Sequence, residues 1–428
     1  MADAVPAERP VRRVLHVVNY AWPHVDGYVV RTMGVVAAQE RTLGLEVQLA
    51  VSPYDPLAAA ADRAFTLPTW GPDRQASTAA LGADGAPIGP QSWERPGVGL
   101  TPVTGPAFAR GLEQVARRFR PDVIHAHHPH YVGRTARRVA RRLGLPFVYE
   151  ARCFNGDYDL DLPDRYSRLR GRWFNRLEYA LARRADAVVT ISDGLAERLR
   201  RAGVPAERVH VVRNSVDTAR FAPVPGERAA GDDLPERGGD SDTLHVGYAT
   251  TFESIENLDA LVRAAGLAAP RVAATGRTLR VTIAGAGRDW ERIRALVDEL
   301  GLQDTVELPG FVPYGQMPDF YRALDLFVVP RGHASVVADT TPLKPLEALA
   351  VGCPLLATEL PALVELCGGR PDVRFAAPTA EALAEGIGLF AEEPWAGSGA
   401  VAERSWAREI RRYPAIYEQA ARTNAARR

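Results

Sequence analysis

Short apolar runs alternate with stretches of helical spacing along almost the whole chain, and this alternation limits the fold more than any other feature. The runs include 14–18 (VLHVV), 45–51 (LEVQLAV), 145–150 (LPFVYE), 186–192 (DAVVTIS), 244–248 (LHVGY), 279–284 (LRVTIA), 306–311 (VELPGF), 324–330 (LDLFVVP) and 355–358 (LLAT). Runs this short and apolar read as strands buried on both faces, and strands separated by helices are joined in parallel. The expectation is an α/β chain of doubly wound sheets. With 428 residues there is material for two such domains. Residues 224–242, rich in glycine and charge, read as a surface insertion between them. The division expected is 1–223, a linker at 224–243, a second domain at 244–404, and a last helix from 405 to 428 that returns to the first domain.

Charge and cysteine content remove several classes of function. The 52 basic residues are matched by 52 acidic ones, so no global field draws the chain to nucleic acid or to a membrane. Cys153, Cys353 and Cys367 show no CxxC spacing, which argues against a disulfide framework and a structural zinc site. The N-terminal stretch lacks the apolar core of a signal peptide, and no run approaches the roughly 20 apolar residues of a spanning helix. A cytoplasmic protein is expected, with membrane contact allowed but not anticipated.

The most chemically loaded stretch runs from 331 to 354, RGHASVVADTTPLKPLEALAVGCP. It follows a predicted buried strand and carries Arg331, Asp339, Lys344 and Glu347 before Gly352 closes a short helix. Two cations and two carboxylates thus sit beyond a strand's carboxyl end, where open α/β sheets bind ligands. A helix beginning near Pro345 turns its free N–H groups to the same place. An anionic ligand is the natural guest.

An acid, seven residues and a Glu within PLEALAxG resembles the signature of the family 4 retaining glycosyltransferases of GT-B fold, with Asp339 and Glu347 as the pair. Asp339 stands where that family usually has Glu, and TPLKPLEA resembles one of its subgroups. The segment VHVVRNSVDTARFAP is similar to the family's NGVDxxxF segment, and GYVVRT resembles a subgroup string GYxxRT. The resemblance implies two Rossmann-like domains facing a deep cleft. It implies a nucleotide sugar donor, UDP- or GDP-linked, an acceptor of unidentified kind, and no cofactor.

The same resemblance assigns residues along the chain. The loop before the first helix, with Gly27, approaches the donor phosphates; a glycine forced by positive φ is an equal alternative there. Phe311 and Val312 border the base, and Leu343 belongs to the donor side. Many relatives supply an Arg and a Lys from the loop that here reads ATTFESIENLD, so Arg331 and Lys344 are the substitutes. On the acceptor side, His127 matches an HxH segment. Relatives often place a His where this chain has Glu150, which leaves Glu150 and Arg152 as candidates for sugar or acceptor hydroxyls.

Three histidines, His127, His128 and His130, suggest metal ligands, but no local carboxylate or cysteine completes a site, and a polar strand end is the plainer reading. The arginines of the predicted helix 132–143 suit anionic lipid, yet a solvated face explains them more simply. Residues 71–105 read as an irregular loop, with a helix from Pro106.

The reading is a metal-independent retaining glycosyltransferase in which Arg331, Lys344 and Asp339 serve catalysis and Glu347 holds the ribose. Two alternatives remain. One is a phosphorylase or nucleotide-sugar epimerase on the same fold, and the other a non-catalytic nucleotide-sugar binder.

Overall fold

The structure, a computed structural model, describes residues 10–19, 26–52, 101–223, 242–395 and 401–428. The expected insertion at 224–242 lies outside these up to residue 241, as does the expected loop at 71–105 up to residue 100.

The first sheet takes β1 (Arg13–Val18), β2 (Glu46–Val51), β3 (Val123–His127), β4 (Phe147–Ala151), β5 (Ala187–Thr190) and β6 (Val209–Val211). Its strand order is β2-β1-β3-β4-β5-β6, all parallel. Between the strands run α1 (Gly27–Leu43), α2 (Thr101–Phe119), α3 (His130–Leu143), α4 (Asp157–Leu160), α5 (Arg165–Ala182) and α6 (Asp193–Arg201). The strands β3, β4 and β5 are buried along their length, and their sequences are apolar except for His125, His127, Glu150 and Thr190, which are buried with them. Helix α2 begins at Thr101, five residues before the expected start, so Pro106 lies inside it.

Side-chain caps fix several helix starts. The Asp26 carboxylate accepts from the Val29 N–H at 2.8 Å, Asp164 from Ser167 at 2.8 Å, and the Ser192 hydroxyl from Leu195 at 3.2 Å. Each such cap stabilises by about 1 kcal/mol.

The second sheet comprises β7 (Thr243–Thr251), β8 (Thr278–Ala286), β9 (Val306–Gly310), β10 (Leu326–Val329), β11 (Leu355–Thr358) and β12 (Val373–Ala376). Its order is β12-β11-β10-β7-β8-β9, again parallel. Helices α7 (Leu258–Ala274), α8 (Trp290–Glu299), α9 (Met317–Arg322), α10 (Ser335–Ala338), α11 (Lys344–Ala350), α12 (Pro361–Cys367) and α13 (Ala380–Glu392) join and cover it. Gly352, at φ +86°, ends the α11 turn in a left-handed conformation that a side chain would strain.

The last segments, α14 (Trp406–Glu409), a 3₁₀ turn and α15 (Tyr413–Ala426), lie against the first sheet. Trp406, Ile410, Tyr413, Ile416 and Tyr417 share one core with Val14, Val35, Val123 and Val148. A Cβ on Gly34 of α1 would fall within 2.5 Å of the Trp406 indole, so the close approach of α1 requires glycine there.

Candidate functional site

In the second sheet the strand sequence reverses direction between β7 and β10. Such a switch point leaves a crevice beyond the carboxyl ends of the two strands. Arg331 follows β10 there and Thr250 lies near the end of β7.

Arg331 is buried, and its guanidinium donates to both oxygens of Glu256, 2.8 Å from Nη2 to Oε1 and 3.2 Å from Nε to Oε2. Tyr248 donates its hydroxyl to the same carboxylate. Burial acts to raise the Glu256 carboxyl, but the Arg331 and Lys344 cations prevail and hold it down at about 2. Lys344, the first residue of α11, donates from Nζ to Thr250 Oγ1 at 3.1 Å. Burial lowers its ammonium pKa, against the pull of Glu256. The loop ATTFESIENLD therefore supplies a carboxylate that fixes Arg331, where a cation had been the pattern of the resemblance.

One turn along α11, Glu347 accepts from the Tyr321 hydroxyl at 2.9 Å and from Tyr314 at 3.2 Å. Burial raises its carboxyl pKa above the ordinary value, despite these two donors. Phe311 and Val312 follow the end of β9 and are half-buried.

The loop between β10 and α11 meets the first domain. Ser192, which ends the turn after β5, donates to the Asp339 carbonyl at 2.6 Å, and Asn214 donates to the Thr341 carbonyl at 2.6 Å. Leu343 packs into the core shared with Trp406. Asp161 accepts from the Ser335 N–H and hydroxyl at 2.7 and 2.6 Å. The carboxyl ends of the two sheets thus face one another across this seam. The Asp339 side chain turns to the first domain as well, where Arg198 donates to it at 3.2 Å while also holding Asp157. The structure therefore brings together Arg331, Lys344 and Glu347, and it ties Asp339 to Arg198. Gly27 is the first residue of α1, carries no positive φ, and a Cβ there would meet nothing within 4 Å. The turn explanation for this glycine falls, and open space on its side-chain face remains.

In the first domain, register places His16 beside His125 and His127 beside Glu150. Glu150 is fully buried and accepts from Arg31 Nε at 2.9 Å, Arg152 Nε at 2.6 Å and the Tyr413 hydroxyl at 3.1 Å. Burial works to raise its carboxyl, but Arg152 and Arg31 hold it well below the usual range. Arg31 also donates to Asn214 Oδ1 at 3.0 Å and the Val212 carbonyl at 2.9 Å. Arg152 donates to Thr32 Oγ1 at 2.9 Å and the Tyr28 carbonyl at 2.6 Å. Tyr28, Arg31 and Thr32 all come from GYVVRT, so that string exists to complete a buried ion cluster on Glu150 and Arg152.

The histidines that gather are His16, His125 and His127, whose ligand atoms lie within 4.8 Å of one another. This differs from the expected trio. His128 and His130 instead lie 3.5 and 3.3 Å from Glu178, a carboxylate supplied by α5. Burial depresses His127 to about 3 and lowers His16 and His125, so all three rings are neutral at pH 7. Their bonds then run in one direction. Arg152 donates to His127 Nδ1 at 2.6 Å, His127 Nε2 to His16 Nδ1 at 2.7 Å, and His16 Nε2 to Gln39 Oε1 at 2.8 Å. Gln39 donates to the Tyr417 hydroxyl at 2.7 Å, and Tyr417 to His125 Nδ1 at 3.0 Å. His125 Nε2 points back to Glu150 Oε2 at 3.4 Å. Five of the six ring nitrogens are spent on hydrogen bonds, and the sixth, His125 Nε2, is buried without one and lies only near Glu150. With the Arg152 charge beside the trio, this donor set does not suit a cation.

Sequence reasoning missed Glu256, Arg31, Arg198 and the two tyrosines on Glu347. A signal existed for Arg31 alone, which follows Val29 and Val30 on an apolar helix stretch, since a buried arginine needs a carboxylate.

Residues 26–215 match the family described as Glycosyl transferase 4-like domain, and residues 243–392 match Glycosyl transferases group 1. The chain is 31% identical over 257 residues to the putative colanic acid biosynthesis glycosyltransferase WcaL of Escherichia coli, covering 59% of this chain and 57% of that protein. It thus spans a little over half the length of this curated relative. Among solved structures, sucrose-phosphate synthase from Thermosynechococcus elongatus superimposes with a TM-score of 0.63 at 18% identity, over 97% of this chain and 94% of that one. The Anabaena protein HepE in complex with UDP gives 0.61 at 14% identity, over 97% and 100%. At these identities the likeness is one of fold, and it is the GT-B arrangement of two Rossmann-like domains.

Proposed function

We propose that this chain, which belongs to the glycosyltransferases built from a 4-like and a group 1 domain, transfers a sugar from a UDP- or GDP-linked donor to an acceptor hydroxyl with retention of configuration. The TPLKPLEA string sets its subgroup. The observation that carries the reading is the meeting of Arg331, Lys344 and Glu347 at the switch point of the second sheet, each buried or nearly so. UDP in the HepE complex supports a nucleoside diphosphate as the ligand class.

The chemistry follows from the charges. When the bond from the anomeric carbon to the diphosphate breaks, negative charge grows on the leaving oxygen. Fixed cations in a buried site stabilise that charge without reorganising. Glu256 holds Arg331 in place, and Lys344 sits on the first turn of α11. This pair takes the role that a divalent ion fills elsewhere, so turnover needs no metal. Glu347 accepts from the ribose hydroxyls. Its oxygens each hold one tyrosine, and a carboxylate has about four lone-pair sites, which leaves room for two more donors. Asp339 reaches the donor sugar by leaving Arg198. Gly27 lines the phosphate side, Phe311, Val312 and Leu343 border the nucleoside, and His127, Glu150 and Arg152 form the buried support of the acceptor wall.

The test is transfer itself. Purified protein is screened by thermal shift against UDP- and GDP-sugars, since binding raises stability with the logarithm of ligand over Kd. The hit is then followed for nucleoside diphosphate release and product configuration by NMR. Release of a sugar 1-phosphate only in the presence of phosphate would favour a phosphorylase, and an epimerised donor without acceptor would favour an epimerase. Tight binding with no turnover for any acceptor or water would leave a binder.

A further inference from the structure

Helices α3 and α5 carry a charge that the rest of the chain offsets. Residues 130–149 hold five arginines and no acid, and residues 165–184 hold seven arginines and one acid, Glu178. That acid is buried, accepting from the His130 N–H at 2.8 Å. The whole chain is neutral, so these two helices carry a local excess of positive charge, bordered at the start of α5 by the exposed Asp161 and Asp164.

On α5 the exposed side is apolar where solvent would favour polar groups. Tyr166 is 73% exposed, Leu169 60% and Trp173 53%, and Leu162 just before the helix is 41% exposed. At 100° per residue, 166, 169 and 173 fall within about 60° of one another, forming a single outward ridge. Arg165, Arg168, Arg172 and Arg176 line one flank of that ridge and are exposed. Along the other flank, toward α3, lies a groove of about 360 Å³ lined by Arg134, Arg137, Arg138, Arg141, Arg184 and Leu177. None of Arg134, Arg138, Arg141, Arg165, Arg168, Arg172 and Arg176 has an ion pair with a described residue. The crowding is felt at Arg137, whose pKa is lowered by burial and then by Arg141, Arg184 and Arg427.

We infer that this α3–α5 face is a docking surface for an anionic lipid bilayer, with Leu162, Tyr166, Leu169 and Trp173 inserted at the headgroup level and the flanking arginines on lipid phosphates. A ridge of aromatic and aliphatic side chains between two rows of unneutralised arginines is the pattern of a helix lying in the interface plane. Leu162 before the rings and Leu169 between them suit acyl chains better than stacked bases. A second copy docking through the same face by two-fold symmetry would bring arginine rows against each other. Among the described residues no helix is long and apolar enough to cross a membrane, so the contact is a surface one. The ridge ends beside Asp161, which is bonded to Ser335 at the start of α10, so a docked bilayer runs past the interdomain seam.

The test is co-sedimentation of the full chain with phosphatidylcholine vesicles, with and without roughly a third phosphatidylglycerol. The expected result is binding to the anionic vesicles only, weakened at least tenfold by 0.5 M salt or by Leu169→Ala/Trp173→Ala, and by Arg138→Ser/Arg172→Ser. Melting temperature checks that the variants stay folded. Independently of them, brominated lipid should quench part of the wild-type tryptophan fluorescence, and Trp173→Phe should remove that part. No binding to anionic vesicles, equal binding to neutral ones, or unchanged binding in both double variants would overturn the inference. So would a dimer in solution, or a complex with single-stranded RNA, that the ridge variants abolish while vesicle binding persists.

Discussion

Glu256 grips the Arg331 guanidinium side-on, with Nη2–Oε1 at 2.8 Å and Nε–Oε2 at 3.2 Å, across 75 residues of chain. The pair is buried and shares the Tyr248 hydroxyl; among the described residues Arg331 is ion-paired with Glu256 alone, while Glu256 also feels the Lys344 cation. The guanidinium is thereby held in one orientation at the carboxyl end of β10.

Removing one half of a buried pair strands the other. Glu256→Gln is expected to lower unfolding free energy by about 3–5 kcal/mol, read from urea denaturation. The sign with pH follows from the depressed carboxyl. Its contribution is fully present above the ordinary value of 4.5 and is lost as pH falls toward about 2. The difference between wild type and Glu256→Gln should therefore shrink over that window. A difference constant with pH would show that the carboxylate charge is not what stabilises.

Glu347 should behave in the opposite way. Burial raises its pKa, so its charged form opposes folding, and this cost is absent at low pH and appears as pH rises through the raised value. Glu347→Gln is then expected to keep or increase melting temperature at pH 7.5 while weakening donor binding by about 1.5–3 kcal/mol in calorimetry. In wild type, donor affinity should also fall as acidification protonates Glu347. Loss of stability without loss of affinity would make Glu347 a structural group.

The histidine circuit of the first domain closes through Tyr417. Its hydroxyl accepts from Gln39 and donates to His125, so Tyr417→Phe leaves two buried groups unsatisfied. A loss of about 1–3 kcal/mol is expected in thermal or urea unfolding, with donor affinity unchanged. A neutral substitution would show that the circuit opens at no cost, and a changed affinity would link it to the seam.

The strands were legible because parallel strands buried on both faces leave apolar runs, as 324–330 and 355–358 do. Strand β12 escaped because VRFA is buried at only one position and half-exposed or exposed at the others. The start of α2 escaped because TPVTG has the composition of a loop. In the site, Arg331, Lys344 and Glu347 could be read from one contiguous motif. Glu256 could not, since ESIEN looks like solvated surface until β7 and β10 are known to be neighbours. Similarly GYVVRT was visible as a string, but the purpose of Arg31 appears only when β4 brings Glu150 alongside. Local patterns report burial and helix ends, whereas the partners of buried charges depend on strand order.

The central claim is that Lys344 and Arg331 together neutralise the departing diphosphate. It is tested most directly by initial rates of nucleoside diphosphate release in excess EDTA, for wild type and Lys344→Ala, alongside donor Kd. Wild type is expected to turn over undiminished by EDTA. Lys344→Ala should lower kcat by a larger factor than it raises Kd, because the charge it meets develops in the transition state. Activity abolished by EDTA and restored by magnesium, or a kcat unchanged in Lys344→Ala, would contradict the account.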